Sequence, residues 1–177
     1  MAKTTQSQNT PVRKPLTQRR LKELLRYNRR TGVFIRRVTV SGGPKAGDIA
    51  GSLATKGYLV MSIDGHMYRM HRLAWLYVHG RWPKDMIDHI NLDKTDNRIA
   101  NLREADNSKN KANGRLYRNN TLGFKGIRLH KQNGRFQAQI RTKGKTISLG
   151  YYGTKEEAHE AYCRAARKVF GEFARTS

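Results

Sequence analysis

Residues 86–113 read MIDHINLDKTDNRIANLREADNSKNKAN. Asp88 and His89 are adjacent; Asn101 follows the aspartate by thirteen residues and Asn110 by twenty-two. One short segment thus supplies a carboxylate, an imidazole and two amides. Hard cations of the Mg2+ type take oxygen ligands of this kind and keep several waters. An imidazole with an unperturbed pKa near ~6.5 takes a proton from water at neutral pH. A metal site with a base beside it is suited to hydrolysing a phosphodiester. The competing reading has Asp and Asn capping turns, which they do often; Asp93, Asp96 and Asn97 are expected to do that work.

The pattern predicts a strand over 87–90, a loop over 91–98 and a helix over 104–111. Adjacent side chains of a regular strand point to opposite faces. Asp88 and His89 therefore share a site only if the chain bends there or if the site lies at the strand's end. The residues leave both options open.

Over 71–113 the chain resembles the HNH nuclease motif in the form found in phage and intron-encoded homing endonucleases. The matching pieces are HRLAW, Gly80-x-Trp82-Pro83, DHIN, DNR, NLR, and the pair Asn110 and Asn113. The resemblance implies a ββα-metal fold with the ion between strand and helix. It makes Asp88 and Asn110 metal ligands, His89 the general base and Asn101 the residue that holds the His89 ring. Many relatives carry histidine at the third position, so Asn110 marks the asparagine variant. His71 falls where the family has a histidine and is a candidate neighbour of the active site; a lone histidine beside an apolar helix is otherwise structural. The implied cofactor is a divalent ion, Mg2+ foremost, with Mn2+ or another as substitutes.

Charge sets the partner class. The 177 residues hold 36 Lys and Arg against 13 Asp and Glu, a net charge of +23. Residues 1–40 carry +10, residues 41–114 only +3, and residues 115–177 again +10. Two basic ends flank a nearly balanced middle, and the middle holds the candidate metal site. A polyanion, here double-stranded DNA, is the partner this distribution fits. The single cysteine, Cys163, excludes an intramolecular disulfide and a cysteine-based zinc cluster. No apolar run approaches the ~20 residues of a membrane span, and the N-terminus lacks the apolar core of a secretory signal. The expected setting is the cytoplasm of a bacterial or phage-infected cell, away from membranes. Oligomeric state stays open, since two-strand cleavage favours a dimer and nicking does not.

Residues 1–15 are polar and basic with nothing to bury, and are expected to be disordered. Leu21, Leu24, Leu25 and Tyr27 recur at helical spacing over 16–27, and Thr31-Gly32 closes that helix. A short strand follows over 33–38, then a glycine-rich loop over 41–57 that lacks the phosphate-loop spacing. Residues 58–63 and 66–70 alternate around Asp64-Gly65, a hairpin signal. Residues 71–79 form an apolar helix stopped by Gly80, with Leu73, Trp75 and Leu76 buried.

After a linker at 114–121 the period changes. Runs at 126–130, 135–141 and 146–152 read as strands joined by Asn133-Gly134 and Lys143-Gly144 turns. Each strand has an apolar face and a polar, mostly basic one. Thr154 with Glu157 signals a capped helix whose Ala158, Ala161, Tyr162, Ala165, Val169 and Phe170 stripe covers the apolar face. Cys163 reads as packing, not as a nucleophile. The run FKGIR, GRFQAQIR, ISLGYY and TKEEAHEAYCRAA, over 122–173, resembles the plant ethylene-response-factor (APETALA-type) DNA-binding domain. That resemblance implies that the open sheet face docks in the major groove through Lys125, Gly126, Arg128, Gln139 and Arg141. Lys131, Arg135, Lys143 and Lys145 add charge around it. Where plant members carry DNA-contacting tryptophans this chain has polar residues such as Ser148, which leaves base readout open.

The whole chain reads as α+β: a ββα-metal nuclease core over 16–113, then a three-stranded antiparallel sheet with one packed helix over 122–177. The function implied is metal-dependent cleavage of DNA by a phage-borne homing or nicking enzyme. The alternative is a non-catalytic DNA-binding regulator, which fits the charge equally and leaves the Asp-His-Asn-Asn set unexplained.

Overall fold

Helix α1 spans Gln18–Leu24, capped by the Thr17 side chain, which accepts from the Arg20 amide. The computed structural model describes residues 15–176, so the tail expected to be disordered lies almost wholly outside the described residues. The helix expected to reach Tyr27 ends three residues early. Leu25–Tyr27 form strand β1, antiparallel to β2 (Phe34–Arg36). Alternate burial of Leu25 and Tyr27 satisfies a two-residue period as well as a helical one. The hairpin pairing decides for strand. Its turn carries Gly32 at φ +74°, where an added Cβ would meet the Arg98 amide nitrogen at 2.5 Å. The tip of this hairpin is thus pressed against the loop that follows the Asp88-His89 pair.

Within the stretch expected to be loop, Ser52–Leu53 form a two-residue strand β3 beside β4 (Leu59–Ile63). Strand β5 (His66–Arg69) pairs with β4 through the expected Asp64-Gly65 turn. Helix α2 (Met70–His79) buries Leu73, Trp75 and Leu76, as the apolar spacing requires. They join Leu21, Leu25, Phe34 and Met61 in one apolar core that also takes Ile87 and Leu102 from the candidate site's own strands.

Strands β6 (Met86–His89) and β7 (Leu102–Ala105) form an antiparallel hairpin with Asp88 opposite Arg103 and His89 opposite Leu102. Helix α3 (Asn107–Asn113) follows, with the Asp106 side chain accepting from the Lys109 amide. The ββα order is the one expected, but the helix starts later than 104. Leu102 and Ala105 are buried while pairing with β6, so residues 102–105 are held as strand. Glu104, on that strand, accepts from Arg81 at 2.7 and 2.8 Å and from the Lys84 amide at 2.8 Å, tying the 81–84 turn to β7.

The C-terminal part is a sheet in the order β10 (Lys145–Tyr152), β9 (Arg135–Thr142), β8 (Ile127–His130), all antiparallel. Helix α4 (Lys155–Phe170) covers one face, and its N-terminus carries the complete Thr154–Glu157 capping box. Ala138, Ile140, Ala158, Ala161 and Ala166 are buried between them. The stripe is rotated slightly from expectation: Cys163 and Ala166 are buried, and Val169 is exposed. Gly126 packs here too. At φ +71° it lies under the Tyr162 ring, and a Cβ would stand 1.9 Å from the ring carbon Cδ2. The missing side chain lets helix approach strand closely, a packing role that the sequence reading did not foresee.

The two parts share one interior. Ala105 of β7 and Ala112 of α3 lie in the same apolar cluster as Ile140, Tyr162, Ala166, Phe170 and Phe173. Lys125, expected on the DNA-facing sheet, is instead spent on this junction. Its Nζ donates to the carbonyls of Ala112 (3.1 Å), Gly114 and Arg175 (2.8 Å). Arg175 continues the joint: its amide donates to Ala112 O at 3.3 Å and its Nη2 to Ile90 O at 3.2 Å. Helix ends leave carbonyls without partners, and a lysine with three donors satisfies them where an apolar residue cannot.

Two outcomes follow from these contacts. Lys125→Met leaves the Gly114 and Arg175 carbonyls without their donor and Ala112 O with only the Arg175 amide, and should destabilise the full chain by about 2 kcal/mol or more, given ~1–3 kcal/mol per stranded group. Thermal melting checks this, and the salt slope of DNA binding should not change, since Lys125 is not on a phosphate. Glu104 is held down to about 2 by its bonds to Arg81 and Lys84, below its ordinary 4.5. A depressed carboxyl stabilises the fold above its unfolded pKa and loses that contribution as pH falls. The stability gap between wild type and Glu104→Gln should therefore be full at pH 7 and close between about 4.5 and 2.

Candidate active site

His89 is the last residue of β6, so Asp88 and His89 reach one site at the strand's end without a bend. Both are buried. The Asp88 carboxylate accepts from Arg103 Nε at 3.0 Å directly across the hairpin. Asn113 Nδ2, from the end of α3, donates to both Asp88 oxygens at 3.1 and 3.0 Å and to the His89 carbonyl at 3.0 Å. Asn113 thereby locks strand to helix. Its place in the Asn110–Asn113 pair was legible, its role was not.

Arg103 is itself held by the C-terminal part. Its Nη1 donates to Glu172 O at 3.1 Å and its guanidinium lies 3.6 Å over the Phe173 ring. A guanidinium stacked on an aromatic face gains cation–π attraction as well as packing. The orientation of the Asp88 carboxylate thus depends on residues more than eighty positions downstream.

His89 Nε2 lies 3.3 Å from Asn97 Oδ1. With that oxygen accepting, Nε2 carries the ring proton and Nδ1 keeps the lone pair a base needs. Asn97 is buried, and its carbonyl accepts from the Tyr27 hydroxyl at 2.6 Å. Burial pushes the Tyr27 phenol up to about 12, so it stays a donor. Asn101, expected to hold the His89 ring, does different work. Its Oδ1 accepts from the Asn91 amide at 3.0 Å, and its Nδ2 donates to Asn91 Oδ1 and Asp96 O, each at 2.9 Å. It closes the 91–98 loop, and the loop then delivers Asn97 to His89. Asp93 and Asp96 behave as turn residues, bonding Thr95 and Arg98. Asn97, grouped with them from sequence, does not.

Burial lowers the pKa of His89; the Asn97 bond and the nearby Asp88, Asp93 and Asp96 partly offset it. His71 meets His89 edge-on with ring centroids 5.0 Å apart, and Tyr58 lies against both rings. Burial, His89 and two arginines push His71 down to about 3, so it is a neutral neighbour. Its Nδ1 is buried and has no hydrogen-bond partner among the described residues.

Tyr58, Asp88, His89, Lys94, Asn110 and Arg115 line a cavity of about 440 Å3. Asn110 makes no side-chain hydrogen bond among the described residues and stands on the wall shared with Asp88. Among the described residues no cluster of three His, Cys, Asp or Glu could hold a metal by itself. The donor set present is one carboxylate with lone pairs left over and one unbonded amide. It fits a hard cation that takes few protein ligands and keeps its waters, as Mg2+ does, and not a soft or tetrahedral ion.

The other expected contact residues lie on the C-terminal sheet and its turns. Arg128, Gln139 and Arg141 are on the face away from α4, with Arg135 in the same set. Arg128 Nε donates to Gln137 Oε1 at 2.6 Å, and Gln137 donates to Ser148 Oγ at 2.9 Å, so a polar chain crosses the three strands. Lys131, Lys143 and Lys145 are exposed at turns and strand ends. The Lys143 amide donates to Ser108 Oγ of α3 at 3.2 Å, which sets the β9–β10 turn beside that helix. No described helix is long and apolar enough to cross a membrane.

Comparison with known proteins finds two separate family matches along the chain. Residues 68–112 match the family model of HNH endonucleases, and residues 122–172 match that of the AP2 domain. An uncharacterized HNH endonuclease of Acanthamoeba polyphaga mimivirus is 33% identical over 124 residues, covering 69% of this chain and 63% of that protein. The chain thus spans less than two thirds of that relative's length. No solved structure matches. The chain joins, through one shared core, a segment at 68–112 that matches the HNH endonuclease model to one at 122–172 that matches the AP2 domain model.

Proposed function

We propose that this protein is a divalent-metal-dependent DNA endonuclease whose AP2 domain holds the duplex that the HNH segment cuts. The observation that carries the reading is the convergence of Asp88, His89 and Asn110 on one cavity, with His89 Nε2 3.3 Å from Asn97 Oδ1. A bare DNA-binding regulator has no need of that arrangement. The viral source of the relative fits a virus-borne enzyme of the homing or nicking kind.

His89 accepts a proton at Nδ1 from the attacking water, and Asn97 fixes the ring so that this nitrogen faces the cavity side. Asp88 and Asn110 are the residues that would hold the cation. A divalent ion bound there supplies Lewis-acid stabilisation of the charge gathering on the phosphate and the leaving 3′ oxygen. Arg103 and Asn113 keep the Asp88 carboxylate in one orientation. Lys94 and Arg115, on the cavity rim, attract the phosphate backbone. His71 and Tyr58 pack the inner side of the His89 ring and exclude water from it.

Nicking of supercoiled plasmid tests the proposal. His89→Ala should lower cleavage by ~10²–10⁴-fold, the usual contribution of a general base, and leave DNA affinity in chelator unchanged. Added Mg2+ should not rescue it, whereas it should partly rescue Asp88→Ala. Chelator should abolish wild-type nicking. Cleavage by His89→Ala at the wild-type rate would falsify the mechanism.

The reassignment of the histidine's partner has its own test. Asn97→Ala should lower cleavage more than Asn101→Ser does, at equal Mg2+ and with melting temperature measured for both. If Asn101→Ser proved the more damaging at matched stability, the sequence-derived assignment would stand instead.

A further inference from the structure

A second cavity, of about 430 Å3, lies between α3 and the C-terminal sheet. Lys111 and Arg115 line it from the nuclease side, Gln139, Arg141 and Thr146 from the sheet. No aspartate or glutamate lines it. Lys111, Arg115 and Arg141 are exposed and make no side-chain hydrogen bond or ion pair among the described residues. Three cations facing one cleft without an acid repel one another, and an external anion relieves that. Gln139, Arg141 and Thr146 share the sheet face that bears Arg128 and Arg135, while Ile140, Tyr162 and Phe170 line the cleft from the α4 side.

The cleft adjoins the catalytic cavity. Arg115 lines both. Asn110 lines one and Lys111, the next residue of α3, lines the other. The sheet cannot drift from α3, because Lys125, Arg175, Lys143 and the apolar cluster with Phe173 fasten the two parts together.

We infer that the cleft is a phosphate track for duplex DNA, with Lys111, Arg115 and Arg141 guiding one strand from the sheet's basic face into the catalytic cavity. The inference rests on the endonuclease reading and adds a rule to it: the cut falls at a fixed, short offset from the sequence held by the sheet.

Full-length Lys111→Glu/Arg115→Glu is compared with Arg167→Glu/Lys168→Glu, which reverses the same charge on α4, outside the cleft; melting temperatures confirm that both fold. Binding to a short random-sequence duplex is measured in chelator across salt. The cleft variant should lose at least about ten-fold in affinity, and its log–log salt slope should fall by about two, one per lost phosphate contact. The α4 variant should keep the wild-type slope. Binding in chelator judges the cleft separately from the nuclease mechanism, which His89→Ala judges. An unchanged slope in the cleft variant, or an equal loss in the α4 variant, overturns the track. Sequencing of wild-type cuts in a randomised duplex library gives the second readout. A preferred motif at one constant distance from the cut supports the offset rule, and cuts scattered around the motif overturn it.

Discussion

A buried carboxylate in a chain of net charge +23 is the constraint around which the middle of this protein is arranged. Desolvating Asp88 costs several kcal/mol unless every lone pair that leaves water finds a partner. Arg103 and Asn113 meet most of that need from the two elements that flank β6, and the free lone pair on Oδ1 is the one open to a cation. Because Arg103 is the cross-strand neighbour of Asp88, hairpin register and charge pairing are the same event. A one-residue slip would put Arg103 on the other face and leave the carboxylate alone. The pair therefore specifies the ββα core as much as it stabilises it.

The constraint propagates outward. Arg103 needs its own shell, and Glu172 with Phe173 provides it from the far end of the chain. The histidine needs Asn97, Asn97 needs Tyr27, and Tyr27 sits on the N-terminal hairpin whose Gly32 tip abuts Arg98. Tyr27 on the N-terminal hairpin and Glu172–Phe173 after α4 thus both bear on the same buried pair, through Asn97 and Arg103.

Much of this was legible. The Asp64-Gly65 hairpin, the apolar helix before Gly80, the three-stranded meander and the Thr154–Glu157 box each rest on local rules of period, turn and cap. What failed were positions where a local signal serves two readings and tertiary contact decides. Leu25 and Tyr27 suit helix or strand. Residues 102–105 carry helix formers yet pair with β6. Asn97 and Asn101 are both amides in one polar loop, and only the folded loop shows which faces His89. Lys125 and Gly126 look like a basic tip and a flexible hinge, but one is consumed by three carbonyls and the other by an aromatic ring. No pattern in a single sequence distinguishes a lysine reaching phosphate from one reaching a helix end.

The shared apolar cluster bears on how such a chain can change over generations. A polar stretch at 114–121 invites recombination between a nuclease segment and a foreign DNA-binding segment. Here that seam cuts a joint rather than a tether. An incoming segment lacking counterparts of Lys125, Phe170, Phe173 and Arg175 would strand the end of α3 and leave Arg103 without its stacking partner. Exchange that preserves activity must carry the contact residues of both segments together. The heritable unit is then the matched pair, and side chains on the open sheet face are freer to change than those of the joint.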